Sequence, residues 1–453
     1  MLIDTHVHLN DSKYKLEQEE IIKKALLGNI SYLIDIGSNL TSSKASIDLS
    51  CKYQNVYSAV GIHPHEAKTF NGKSIDSLKD LSKNKKVVAI GEIGLDYHYN
   101  FSTPTEQKKA FIEQIKLASS LNLPLIIHAR EATKDILHIL EQHGLSLKGV
   151  FHAFSGDKEI LNWAISNQYY ISISGMVTFK NSNLSSLVKE IPMDKFLIET
   201  DSPYLAPHPM RGKKNQPAYL TFIAKKLAEV MHLSLEDISR ITTLNAKQLF
   251  NLEPVVLKDT YTYKIRNSLY VNLTNRCTNN CYFCIRNKTY FIKGHYLKLE
   301  KEPTVENIIS EIGEVENYKE IVFCGLGEPF LRYNTLIKIA KYLKNRGAKI
   351  RINTNGQANL ICSKNIAIEL KGTVDALSIS LNASTSDTYQ KISQCSNHSA
   401  FEAIIGFVKE CKKYIPEITL TFLELPTINI EECKKLAQNL RVEFKIRKYD
   451  VVG

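Results

Sequence analysis

The stretch Leu2-Ile3-Asp4-Thr5-His6-Val7-His8 begins as a strand-like apolar run and closes on two histidines one residue apart. Successive side chains of an extended chain alternate faces, so His6 and His8 share one face at the strand's C-terminal end. A His-x-His pair alone decides little, because two structural histidines read the same way. Its weight comes from what recurs downstream. Glu92 follows Val-Val-Ala-Ile-Gly, His128 follows Leu-Ile-Ile, His152 follows Val-Phe, and Asp201 follows Phe-Leu-Ile-Glu-Thr. Ligand-capable residues ending all of these runs point to one shared site.

Such runs predict strands at 2–7, 32–36, 56–61, 87–91, 123–127, 149–151, 170–174 and 196–199. Helical stretches between and after them include 15–27, 105–121, 132–143, 217–232 and 235–250. Eight strands, each followed by a helix or crossover, predict a (β/α)8 TIM barrel, whose active site gathers at the C-terminal strand ends. Two divalent ions suit this donor set. His6, His8, Glu92 and Asp201 are expected on one ion, and Glu92, His128 and His152 on the other, with Glu92 bridging. A pair of ions clamps the attacking and leaving oxygens of a displacement. Asp201 is expected to take the proton of the attacking water. Imidazole and carboxylate donors admit Mg²⁺, Mn²⁺ or Zn²⁺.

These residues sit in segments that strongly resemble the TatD family of metal-dependent deoxyribonucleases: Ile3-Asp-Thr-His-Val-His8, Gly61-Ile-His-Pro-His65, Gly91-Glu-Ile-Gly-Leu-Asp-Tyr97, His128-Ala-Arg130, His152-Ala-Phe-Ser-Gly156 and Glu199-Thr-Asp-Ser-Pro-Tyr204. The resemblance implies phosphodiester cleavage of DNA, often from the 3′ end, and matches His63 to a histidine near the substrate phosphate. Arg130 and Arg211 are candidates for bidentate phosphate contacts, and Asp96 and Tyr204 for lining the pocket. The ligand set alone does not separate attack on phosphorus from attack on carbon, so an amidohydrolase or esterase on the same barrel stays open.

Further along, the pattern restarts. Strands are predicted at 269–273, 320–324, 349–354, 376–381, 418–423 and 442–448, with helices at 304–315, 336–346 and 401–411. Six βα units predict an open, partial (β/α)6 barrel. The stretch 252–264 reads as the connection, giving domains 1–253 and 264–453 around a linker at 254–263. The chain ends soon after the last predicted strand, so no further domain is expected.

Asn275-Arg-Cys-Thr-Asn-Asn-Cys-Tyr-Phe-Cys284 puts Cys277, Cys281 and Cys284 at C-x3-C-x2-C spacing. Three thiolates hold three irons of a 4Fe-4S cubane and leave the fourth open for chemistry. Structural zinc takes four closed ligands, usually as two cysteine pairs, and no second pair follows here. Cys324 and Cys362 stand alone. The next strand ends in Cys324-Gly-Leu-Gly-Glu-Pro329, where glycines permit close backbone approach to a ligand and Glu328 suits an ammonium. Later strands end in Asn353-Thr-Asn-Gly356 and Ser378-Ile-Ser-Leu-Asn-Ala383.

Together these segments resemble the radical SAM core, and the two-part layout resembles a TatD-linked radical SAM fusion. The resemblance implies that S-adenosylmethionine chelates the open iron and is cleaved reductively to methionine and a 5′-deoxyadenosyl radical. Gly325, Gly327 and Glu328 match the segment that holds the methionine amino group, and Ser380 and Asn382 match ribose contacts. Phe283 is expected to shield the cluster or touch the adenine. A redox or regulatory module without turnover is the alternative. No flavin or second cluster motif is visible, so an external one-electron donor such as a ferredoxin or flavodoxin is expected.

Of nine cysteines only Cys51 precedes Cys277, a clustering that suits a reduced metal site rather than a disulfide framework. The N-terminus lacks the basic start and apolar stretch of a signal peptide. No apolar run reaches about 18 residues, so a cytoplasmic protein away from membranes is expected. The net charge of +11 is spread over both halves. It is compatible with a polyanionic partner such as DNA without marking a patch.

Overall fold

Eight parallel strands follow one another in space as they do in sequence: β1 (Leu2–Val7), β2 (Ile30–Ile36), β3 (Val56–Val60), β4 (Val87–Asp96), β5 (Leu125–Arg130), β6 (Gly149–Phe151), β7 (Tyr170–Ile173) and β8 (Phe196–Ile198). The Val7–Ser202 bridge brings the last strand end back to the first. His8 N donates to Ser202 O, and Asp201 N to His6 O, each at 2.9 Å. This computed structural model describes residues 1–254 and 257–448, and the chain divides into two units at residues 255/256.

Parallel strands covered on both faces need near-continuous apolar sequence, and all ten residues of β4 are buried. Two cores result. One joins strands to the surrounding helices. The other gathers Ile3, Ile36, Ala59, Ile126, Val150 and Leu197 with Leu249 and Phe250 of the helix Leu235–Phe250. That helix starts on a Ser234–Asp237 capping box, and the helix Pro104–Leu121 on a Thr103–Glu106 box, so local sequence and tertiary packing agree.

Two strands are irregular where ligand-type residues sit. β1 shifts register between Asp4 and Val7, bracketing His6. β4 shifts between Ile90 and Ile93, bracketing Glu92. Such irregularities re-aim side chains. The strand expected to stop at Gly91 continues to Asp96, so Glu92 lies within it rather than at its end.

The second unit holds a seven-stranded sheet. Its strands are β9 (Thr262–Ile265), β10 (Ser268–Val271), β13 (Glu320–Phe323), β14 (Ile350–Thr354), β15 (Ala376–Ser380), β16 (Glu417–Leu423) and β17 (Glu443–Arg447), in the order β17-β16-β15-β14-β13-β10-β9. A small hairpin, β11 (Phe291–Ile292) with β12 (His295–Tyr296), stands apart. Six strands are parallel, as expected. β9 is antiparallel to β10 and falls partly on the stretch read as a linker. Among its four residues only Tyr263 is buried, which is why it reads as connection. Ile350, Ile352, Leu377, Ile379 and Leu420 pack into the core. The alternate residues Arg351, Asn353, Ser378, Ser380 and Thr421 line a cavity of about 820 Å³. No helix among the described residues is long and apolar enough to cross a membrane.

Candidate functional site

In the first unit, imidazoles from four strand ends converge on Glu92. Its Oε2 lies 3.4 Å from His6 Nε2 and 3.8 Å from His8 Nε2. Asp201 Oδ1 stands 3.7 Å from the same His6 nitrogen and 3.4 Å from that of His8, and the two nitrogens are 3.3 Å apart. Ligands about 2.1 Å from a tetrahedral ion are about 3.4 Å from one another. These spacings are therefore edges of a coordination shell, and the donor set fits a divalent ion. The other oxygen, Oε1, faces a second set: His128 Nδ1 and His152 Nε2 at 2.7 Å each, with those nitrogens 3.1 Å apart. One carboxylate thus serves both sets, one oxygen to each.

Charge follows the geometry. Burial works to raise the Glu92 carboxyl, but the ring of histidines outweighs it and holds it well below the carboxylate range. Burial opposes charge on His8, yet hydrogen bonding to Asp201 and the nearby carboxylates lift it to about 9.

His63 differs in kind. Its Nε2 lies 3.3 Å from Glu92 Oε1, close enough to join the second set. Its Nδ1, however, accepts the His65 backbone N–H at 3.1 Å. Burial pushes it down to about 4, so the ring is neutral, and a neutral ring accepting at Nδ1 carries its proton on Nε2. His63 therefore points a donor into the site. Asp96 Oδ2 accepts His128 Nε2–H at 3.0 Å; burial opposes charge on the His128 ring, but its bonds to Asp96 and Glu92 outweigh that and raise it, so its Nδ1 would offer a lone pair only where a cation displaces the proton. Such carboxylate–histidine pairs fix tautomers at metal sites. His152 Nδ1 stands 3.5 Å from Glu199 Oε1 but makes no hydrogen bond there.

Buried carboxylates hold the strand ends. Asp4 accepts from Thr200 N at 2.9 Å and Thr200 Oγ1 at 2.6 Å, locking the turn that carries Asp201 to β1. Asp35 accepts from Leu9 N at 2.6 Å and Asn10 Nδ2 at 3.0 Å, fixing the chain just beyond His8. Gly94 has φ +140°, and a Cβ there would lie 2.0 Å from His128 O. Only glycine lets β4 pass that close to β5.

In the second unit, Cys277, Cys281 and Cys284 line the cavity with Phe283, Gly325, Gly327, Glu328, Ser380 and Asn382. All three cysteines are free thiols. Asn279 N lies 3.5 Å from Cys277 Sγ, and Arg286 Nε 3.3 Å from Cys284 Sγ, donors suited to thiolates. Burial, then the charge of its two neighbours, pushes Cys281 up to about 12. Thiols that oppose one another's ionisation stay deprotonated together only against cations, so this trio fits a metal cluster.

The Gly-rich loop lines the cavity and also packs closely against its own chain. A Cβ on Gly325 would meet Asn272 Oδ1 at 2.0 Å, and one on Gly327 would meet Arg276 O at 2.2 Å and Thr274 O at 2.5 Å. The glycines bring this loop against the start of the cysteine loop, where Glu328 N donates to Arg276 O at 2.8 Å. Glu328 accepts from Asn355 N at 2.7 Å, Thr354 Oγ1 at 2.8 Å and Phe330 N at 3.1 Å. Burial still raises it to about 7. It clasps the end of β14 while facing the cavity. Asn382 Oδ1 accepts from Leu423 N at 2.9 Å, and Ser380 Oγ stands 3.3 Å from Thr421 Oγ1.

A family model described as TatD related DNase matches residues 3–251, more than half the chain. The chain belongs to this family. The Radical SAM superfamily model matches residues 271–440, and the second unit is a radical SAM domain. The uncharacterized metal-dependent hydrolase YabD of Bacillus subtilis (strain 168) is 41% identical over 254 residues, 56% of this chain and 100% of its own. The 3′-5′ ssDNA/RNA exonuclease TatD of Escherichia fergusonii is 33% identical over 258 residues, 55% of this chain and 99% of its own. The structure of YJJV, a TatD homologue from Escherichia coli K12, aligns with a TM-score of 0.53 at 26% identity, covering 56% of this chain and 98% of that one. The protein is thus an enzyme that joins a TatD-type metal-dependent hydrolase to a radical SAM domain.

In the TatD barrel, His6, His8, His63, Glu92, His128, His152 and Asp201 come together. The arginines do not join them in direct contact: Arg130 lies 4.9 Å over the Tyr99 ring and Arg211 3.8 Å over Phe179. Tyr204 reaches the rim, its ring centre 6.0 Å from that of His8. Sequence reasoning gave no role to His65, which donates Nε2–H to Asp96 at 3.0 Å, or to Glu199. The signal was the His-Pro-His spacing and a carboxylate two residues before Asp201.

Proposed function

We propose that the TatD barrel (1–253) removes nucleotides from the 3′ end of single-stranded DNA with two divalent ions. The radical SAM domain (264–453), joined through 254–263, cleaves S-adenosylmethionine for radical chemistry. The observation that carries the first half is the division of Glu92 between two donor sets. Two cations held there lower the pKa of a bound water and offset phosphate charge. The chain's own groups do the rest. Asp201 accepts the proton of the attacking water. His63 donates its Nε2–H to a phosphate oxygen, a role supported by its tautomer. Asp96 orients the His128 ring through its Nε2–H. The relative described as a 3′-5′ ssDNA/RNA exonuclease supports the choice of phosphorus over carbon as the attacked atom.

Release of nucleotides from end-labelled single-stranded DNA in Mg²⁺, Mn²⁺ or Zn²⁺ tests this. Asp201→Asn is expected to lower the rate about 10²–10⁴-fold, the usual worth of a proton acceptor. No release with any metal would favour an amide or carboxylic ester substrate.

For the second half, Cys277, Cys281 and Cys284 would hold the 4Fe-4S cluster, which supplies a single electron for reductive cleavage. Glu328 faces the cavity as an acceptor for the methionine ammonium. Ser380 and Asn382 offer ribose contacts, and Phe283 covers the cluster. An external electron donor completes the system. After anaerobic reconstitution, addition of S-adenosylmethionine should change the reduced cluster's spectrum and yield 5′-deoxyadenosine. Neither change would count for a module without turnover.

A further inference from the structure

Three large aromatic side chains stay exposed at the rim of the TatD site: Tyr99 is 41%, Phe101 54% and Tyr204 44% exposed. Core packing accounts for none of them, and exposed aromatic surface beside a site calls for a ligand. Tyr99 and Phe101 stack on one another, with centroids 5.5 Å apart and planes at 28°. The Arg130 guanidinium lies 4.9 Å over the Tyr99 ring. His65 meets both rings edge-on, at 5.4 and 4.8 Å.

The pair is firmly held. Asp96 Oδ1 accepts His98 N at 3.0 Å and Tyr99 N at 3.1 Å, while Oδ2 meets His65 and His128 at 3.0 Å each. One carboxylate therefore sets the aromatic loop and a Glu92-facing histidine in fixed relation. On the opposite side of Glu92, next to His8, Tyr204 repeats the theme. Its hydroxyl donates to Asp11 at 2.8 Å, and Lys13 Nζ sits 4.2 Å over its ring.

Flat rings paired with cations are how proteins bind single strands: bases stack on the rings and phosphates meet the charges. A duplex keeps its base faces inside the helical stack and has none to offer. We propose that Tyr99–Phe101 and Tyr204 are two nucleobase-stacking stations flanking the scissile bond, taking successive unpaired bases without sequence preference. This rests on the nucleic-acid reading above. An enzyme that trims any sequence needs base faces rather than base edges, and these rings offer them.

The test is binding of the full-length protein in EDTA, which stops cleavage. The probes are a labelled single strand and an abasic deoxyribose-phosphate strand of the same length, followed by fluorescence anisotropy. The base-bearing strand should bind more tightly. Tyr99→Ala and Phe101→Ala should each weaken it about tenfold, within the range for one stacked base, and move the abasic strand less than about twofold. Phe101→Trp should retain binding, and Phe101→Leu, which keeps apolar bulk without a π-face, should not. Equal affinity for the two strands, or equal loss of both in the alanine variants, overturns the stacking stations while leaving a nucleic-acid site intact. Binding of neither strand by the wild-type protein, in EDTA or with Ca²⁺ supplied in its place, overturns the nucleic-acid reading itself.

Discussion

Asp96→Asn is the most searching substitution in the TatD barrel, because it changes one atom and almost no volume. The Asp96 carboxylate faces four groups. Oδ1 takes the backbone N–H groups of His98 and Tyr99, and Oδ2 takes His65 and His128. The backbone pair and the His128 Nε2–H are donors, and a carboxylate only accepts. An asparagine must turn its NH₂ toward one side or the other. Toward the backbone, it opposes two N–H groups that have no other form. Toward the imidazoles, it demands an acceptor at His128 Nε2, which moves the proton to Nδ1 and cancels the lone pair aimed at Glu92. The second arrangement is the less costly, since an imidazole can shift its proton whereas the two backbone N–H groups cannot. Loss of such a supporting carboxylate typically weakens metal binding about 10–100-fold, or about 1.4–2.7 kcal/mol. The measurement is Mn²⁺ titration against a chromophoric chelator, resolving two binding steps. One step should weaken by that factor, with the step carried by His6, His8 and Asp201 much less affected. Two steps of wild-type affinity, or equal weakening of both, would refute the reasoning.

Glu92→Ala should cost both ions together rather than one, since each donor set loses an oxygen; metal stoichiometry by elemental analysis would report it. Cys281→Ala should abolish the iron content and visible absorption of the reconstituted protein while leaving metal-dependent DNA hydrolysis within about twofold, because the two sites lie in separate units. Gly327→Ala should destabilise the radical SAM domain by about 1–3 kcal/mol, the usual cost of overpacking, with its Cβ driven against two backbone carbonyls. Denaturant unfolding would show a shifted transition for that domain, with the barrel's transition unmoved.

Much of this was legible in the sequence. The barrel strands are near-continuous apolar runs, and their ends carry histidines and carboxylates that nothing else explains. What escaped lies where local pattern carries no signal. The register shift in β4 puts Glu92 inside a strand, because an irregular pair of residues looks no different in sequence from a regular pair. Asp4, Asp35 and Asp96 do as much as the ligands to define the site, yet a carboxylate beside an apolar run does not declare which backbone N–H it will meet. β9 was hidden because an edge strand buries little and so lacks a strong apolar period. Gly325 and Gly327 stand out in the sequence for close approach to a ligand, and the sequence does not show their close approach to the chain itself. Their neighbours are the chain's own Asn272 side chain and the carbonyls of Thr274 and Arg276. The partners of His63 and His128 differ, a backbone N–H two residues on for His63 and the carboxylates of Asp96 and Glu92 for His128, and nothing in the two residues themselves tells them apart.

A carboxylate that lends one oxygen to each of two neighbouring cations would couple their binding. Whatever factor the first imposes on the affinity of the second, the second imposes on the first. Where free metal is scarce, the doubly loaded fraction grows with the square of its concentration rather than in proportion to it. Turnover in the barrel would then fade abruptly as the cell's labile pool thins, giving the hydrolase a threshold that no separate regulatory element has to supply.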